Sequence, residues 1–121
     1  MEGKYMKKII NETLQSLKDY IPKLLNANEQ ITELLQTDNE IEAFNLFLPV
    51  IEGLEWVAEA LNSMQKLQQI EGFDTSGINN ILQEVNKALE IRDFVLIADL
   101  FEYEINPILL NWFNKVSEII E

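Results

Sequence analysis

The segment Asp93 to Phe113, DFVLIADLFEYEINPILLNWF, restricts the possible folds more than any other part of the chain. Its composition is helical and its apolar residues run around most of the circumference. Phe94, Ile97, Phe101, Ile105, Ile108 and Trp112 make one stripe, and Leu96, Leu100, Tyr103 and Leu110 make a second. An ordinary surface helix keeps a wide polar face. A helix with two apolar stripes is instead the centre of a bundle, or it reserves one stripe for a partner.

The rest of the sequence supplies the companions such a helix needs. From Met6 the apolar residues Ile10, Leu14, Leu17, Ile21 and Leu24 follow in steps of four and three, and the pattern resumes at Ile31, Leu34 and Leu35. Steps of this size hold one side of a helix. After the polar cluster Thr37, Asp38 and Asn39, where Asp38 or Asn39 can cap, a second helical pattern runs through Ile41, Phe44, Leu48, Ile51, Leu54, Ala58 and Leu61 towards Ile70. The run EGFDTSG, Glu71 to Gly77, concentrates turn formers and reads as a loop. Ile78, Ile81, Leu82, Val85, Ala88 and Leu89 mark a shorter third helix, and Asp93 caps the fourth.

These readings predict an all-α fold, a mainly antiparallel four-helix bundle with helices near residues 4–36, 40–70, 77–91 and 93–120. Short connections force neighbours to pack antiparallel. Pro22, Pro49 and Pro107 all fall inside helical patterns. Each removes a backbone donor, so proline-kinked long helices are expected rather than separate short ones. A length of 121 residues fits a single domain, residues 1–121, that buries roughly two thirds of its unfolded surface.

Composition excludes many chemistries. The chain contains no Cys and no His, which removes disulfides, thiol nucleophiles, His-dependent triads and ordinary zinc sites. The net charge is −12; residues 1–23 hold five Lys against Glu2, Glu12 and Asp19, a surplus of +2, which leaves −14 on the remainder. A field of that sign repels phosphate backbones and anionic lipid surfaces, so no nucleic-acid partner is expected. No window approaches the roughly 18 apolar residues of a membrane span, and the N-terminal MEGKYMKKII turns polar at Asn11. No membrane insertion is expected, and the expected location is cytoplasmic.

Candidate sites are few. Glu52, Glu55 and Glu59 share a helix face with Trp56, but a hard cation needs six or more oxygen ligands, so a solvated acidic face is the better reading and no metal or cofactor is expected. Asp99 interrupts an apolar run; it is read as a surface or paired carboxylate rather than a general acid, because no companion catalytic group accompanies it. No catalytic residue is identified. Trp56 and Trp112 are the sharpest signal: if the bundle cannot enclose both, the remainder forms an apolar patch of the kind that marks partner sites.

The runs GLEWVAEAL, Gly53 to Leu61, and DFVLIADLFEYEINP, Asp93 to Pro107, resemble a family of small acidic helical bacterial proteins without an assigned activity. Asp93, Asp99, Leu100, Glu102, Tyr103, Glu104 and Pro107 carry that resemblance. In size, acidity and helical pattern the chain is also similar to flagellar and type III secretion chaperones, a likeness of class without a shared motif. The expected function is a non-enzymatic protein-interaction module of a chaperone-like kind. Its partner is another protein, whose basic or amphipathic segment enters an apolar groove with an acidic rim formed by Asp99, Glu102, Tyr103, Glu104 and Trp112. Two alternatives stand beside it: a small-molecule or metal-binding helical bundle using Asp99, Glu102 and Tyr103, and a structural homodimer.

Overall fold

The computed structural model describes residues 2–120. Five helical segments follow in order: α1 Glu2–Gln36, α2 Glu40–Lys66, α3 Gly77–Glu90, α4 Phe94–Leu100 and α5 Asn106–Ile120, with a π-helical turn, Phe101–Ile105, joining the last two into one rod. The expected four-helix, all-α architecture is therefore the observed one, and no strand occurs among the described residues.

Packing follows from the apolar stripe of α1. Ile10, Leu14, Leu17, Ile21, Leu24, Ile31 and Leu35 are all buried, and Asn28 fills the remaining position of the series. This face lies against α2 on one side and against the α4–α5 rod on the other, while α3 packs on α4 and the π-helical turn. Tyr20 meets Trp56 and Asn28 meets Asn106, so α1 runs antiparallel to both of its long neighbours.

In α2 the structure corrects the expected core stripe. The buried positions are Ala43, Phe47, Val50, Gly53, Leu54, Val57, Ala58, Leu61 and Met64, so the expected stripe holds in the second half of the helix and fails in the first. Ile41, Phe44 and Leu48, read as core from their spacing, are exposed. The first half of α2 is apolar on two faces, and α1 can cover only one of them.

Three helices end in the same way. Asp38, Gln68 and Arg92 have φ of 61°, 60° and 56°. The amides that follow them reach back five residues: Asn39 N–H to the Leu34 carbonyl (2.8 Å), Gln69 N–H to Met64 (3.0 Å) and Asp93 N–H to Ala88 (2.9 Å). This is the Schellman ending, normally built on glycine because a side chain strains the left-handed conformation. It stops α2 at Lys66, short of the expected residue 70. Asp93 caps α4 as expected, accepting from Leu96 N–H at 3.0 Å. Neither Asp38 nor Asn39 caps α2: Asp38 is the left-handed residue, and the Asn39 amide turns back to donate to the Thr37 hydroxyl at 2.9 Å.

The prolines sit on outward faces, since Pro22, Pro49 and Pro107 are all exposed. The carbonyl that each deprives of a donor lies four residues earlier on the same face, where water can reach it. Neither α1 nor α2 breaks. Before Pro107 the backbone widens instead, and Asn106 N–H bonds to the Phe101 carbonyl. The π-helical turn also corrects the phase of the core stripe. Ile97, Phe101, Ile105 and Leu109 are four residues apart and all buried. In a regular helix each such step would overshoot the face by about 40°; a wider turn turns less per residue and keeps them together.

The loop between α2 and α3 is anchored by Phe73, which is buried. Its amide donates to Gln65 Oε1 (2.8 Å), the Lys115 ammonium stands 5.6 Å from its ring centroid, and Lys115 also donates to the Gly72 carbonyl. Asp74 then accepts from both the hydroxyl (2.7 Å) and the amide (3.1 Å) of Ser76. Those bonds, the hydroxyl first, hold the Asp74 carboxyl below its ordinary value.

Three consequences can be measured. Phe101 has no exposed surface, so Phe101→Ala should lower stability by about 3 kcal/mol in chemical denaturation, with a loss below about 1 kcal/mol contradicting its core role. Gln68→Gly should raise stability by about 0.5–1 kcal/mol, since glycine adopts that conformation without strain. A depressed folded-state pKa contributes stability that is present above the unfolded value and lost as pH falls through the folded one. Ser76→Ala should therefore move the Asp74 carboxyl midpoint, followed by NMR, upward towards the ordinary range.

Candidate interaction surfaces

The five residues expected to form one site are separated by the fold. Trp112 is buried, with 1% of its surface exposed, because it lies three residues after Leu109 and four before Val116 on the core stripe. It cannot contribute to a docking surface, and that part of the expectation is corrected. Glu102, Tyr103 and Glu104 are exposed. As consecutive residues of the π-helical turn they point in successively different directions and do not line one rim. Tyr103 shares the outward face of the rod with Leu96 and Leu110, seven residues away on either side, and all three are exposed. The second apolar stripe of this segment is thus real over these positions, whereas Leu100, between them, is covered.

Asp99 is exposed and lies elsewhere. It lines a polar crevice of 520 Å³ together with Asp38, Glu40, Arg92 and Asp93, at the end of the bundle where the two tight turns meet. This crevice adjoins an apolar groove of 830 Å³ between the first half of α2 and the junction of α3 with α4. Ile41, Phe44, Leu48 and Ile51 form one wall; Leu89 and Phe94 form the other. Glu40, Arg92 and Phe94 border both spaces.

The groove exists because α3, 14 residues long, does not pack closely along the 27 residues of α2. Its floor is a chain of aromatic contacts leading inward: Phe94 to Phe44 at 5.7 Å between centroids, Phe44 to Phe47 at 5.5 Å, and Phe47 to Phe101 at 5.9 Å. Ile41 is 78% exposed and Leu48 is 64% exposed, an arrangement that burial against an apolar partner surface would relieve. The residues of this groove were visible in the sequence as a helical stripe. The missing signal was the second stripe through Ala43, Phe47, Val50 and Val57, which competes for the same core in the first half of α2 and is the one that α1 covers.

A third concavity, of 680 Å³, lies between α1 and α2 around Tyr20 and Trp56, with Asp19, Lys23 and Glu52 at its edges. Of the two tryptophans Trp56 is the one left at the surface, 43% exposed. Gly53 shapes this site: a Cβ there would stand 2.2 Å from Tyr20 Oη and 2.8 Å from Leu24 Cδ2. The three glutamates read as sharing a face separate here. Glu52 borders the Trp56 concavity, while Glu55 and Glu59 border a cleft towards Asn62 and Ser76. Among the described residues no three acidic side chains converge as metal ligands would, and no helix is long and apolar enough to cross a membrane.

No curated protein and no solved structure matches the chain. The match is to a family description, domain of unknown function DUF8042, over residues 12–115. That span takes in α2, α3, α4 and the π-helical turn entirely, with most of α1 and α5, and so includes every concavity described above. The chain belongs to the DUF8042 family.

Proposed function

We propose that this protein is a non-enzymatic interaction module that binds an amphipathic helix carrying basic residues, seated in the groove between α2 and the α3–α4 junction. The observation that supports this most is the outward apolar stripe Ile41, Phe44 and Leu48, of which Ile41 and Leu48 stay largely exposed and Phe44 is covered only in part, by Phe94. A partner helix placing residues at i, i+3 or i+4 and i+7 into such a groove buries the exposed apolar surface of both molecules.

Charge favours a foreign partner over a second copy. From residue 38 to residue 65 the sequence has six acidic residues and no Lys or Arg. Asp38, Glu40, Asp93 and Asp99 gather beside the groove with Arg92 as the cation among them. Two copies docked through this face would bring like charges together, whereas a basic flank would be attracted and its encounter accelerated. In this reading Asp99, in the crevice beside the groove, belongs to the acidic border, and Glu102 and Glu104 have no part in it. The proposed setting is the cytoplasm, in a chaperone-like or adaptor role.

The test uses a synthetic helical peptide of about 18 residues with Leu on one face and Lys on the other, long enough to span the roughly 15 Å of groove, followed by fluorescence anisotropy. Leu48→Glu should weaken binding about tenfold although it adds a favourable negative charge, because an apolar anchor is lost. Raising salt from about 50 to 300 mM should weaken binding by the native chain. Equal affinity for Leu48→Glu, with unchanged helicity, would remove the groove from the reading. A concentration-dependent dimer that Leu48→Glu dissociates would instead assign the groove to self-association.

A further inference from the structure

We propose that the concavity between α1 and α2 is a second binding site, independent of the groove above, and that it takes an alkylated ammonium group. Trp56 and Tyr20 form an aromatic corner: their rings are 5.6 Å apart between centroids and stand at 87° to each other. Two perpendicular walls of this kind are what a rounded organic cation needs, since it can lie against the negative face of one ring while touching the other. Trp is the strongest of the cation–π partners, and Trp56 leaves 43% of its surface free.

The corner is constructed rather than incidental. Tyr20 reaches across α2 because position 53 is glycine; a methyl group there would fall 2.2 Å from its hydroxyl. A glycine inside a helix is destabilising relative to alanine, and at Gly53 that cost accompanies the close approach of Tyr20 and Leu24.

Two carboxylates, Glu52 on α2 and Asp19 on α1, border the corner. Asp19 accepts from Gln15 through Oδ1 at 3.1 Å, leaving its other oxygen for a ligand. A hard metal ion would need six or more oxygen ligands, more than these two side chains provide. A neutral apolar ligand would gain nothing from the carboxylates, and an anion would meet the overall charge of −12. Lys23 also borders the site and opposes a cation there. That opposition gives the proposal a signed test, because removing Glu52 and removing Lys23 must act in opposite directions.

The experiment observes the indole N–H signals by NMR, with Trp56→Phe assigning them and buried Trp112 serving as the internal reference. Titration with tetramethylammonium should move the Trp56 signal saturably and leave Trp112 still. Glu52→Gln should weaken this binding about two- to fivefold, and Lys23→Gln should strengthen it by a similar factor, as exposed charge pairs of this size dictate. Tert-butanol, neutral and of similar shape, should give no saturable shift. Parallel titrations with choline and with trimethyl-lysine amide distinguish a free metabolite from a modified side chain, and tighter binding of either one supports the site. No saturable shift with tetramethylammonium, an equal response to tert-butanol, or Glu52→Gln and Lys23→Gln changing affinity in the same direction would overturn it.

Discussion

The burial of one face of α1 is the constraint on which the remaining structure depends. Seven apolar side chains from Ile10 to Leu35 are withdrawn from water by contact with two different neighbours, α2 and the α4–α5 rod. Each contributes roughly 1.5–3 kcal/mol if fully removed from solvent, and displacing either neighbour would return part of this face to water. α1 itself stays amphipathic, with a polar outer face. α2 and the rod must each serve α1 and a further neighbour, and it is these two elements that are apolar on more than one side.

A single polar interaction interrupts this apolar seam. Asn28 is completely buried and donates to Asn106 Oδ1 at 2.8 Å. A purely apolar stripe could slide by a turn with little penalty. Asn28 cannot, because its buried Nδ2–H would lose its acceptor at a cost of about 1–3 kcal/mol, although its Oδ1 is buried without a partner. The pair therefore specifies the register of α1 against the rod beside the π-helical turn, where Asn106 begins α5 and Pro107 follows it. Irregular backbone, proline and buried polar contact coincide at one level of the bundle.

Much of this was legible in the sequence because the signals were periodic. The α1 stripe, the Asp93 cap, the Glu71–Gly77 loop and the burial of Leu54, Phe101 and Ile105 followed from spacing and turn chemistry alone. Periodicity failed where two stripes shared one helix. In α2 it favoured Ile41, Phe44 and Leu48, and which stripe meets the core is decided by the path of α1, information that no local window contains. Trp112 was misplaced for a related reason: an aromatic residue on a helix apolar on several sides can belong to either the core or a surface, and only its phase relative to Leu109 and Val116 resolves the choice. The π-helical turn left a readable trace in the four-residue spacing of Ile97, Phe101, Ile105 and Leu109 ahead of a proline. Gathering Asp38, Glu40, Asp93 and Asp99 at one end required the three-dimensional fold.

The two tight Schellman turns give the bundle a polarity. Thr37–Asn39 and Ile91–Asp93 reverse the chain at one pole, beside the apolar groove and its acidic border. The longer loop of residues 67–76 lies at the other pole, where Lys115 fastens it to α5. The beginning of α1 and the end of α5 share that second pole, as their antiparallel paths require. Any polypeptide joined to either terminus would emerge on the side away from the groove, leaving it unobstructed.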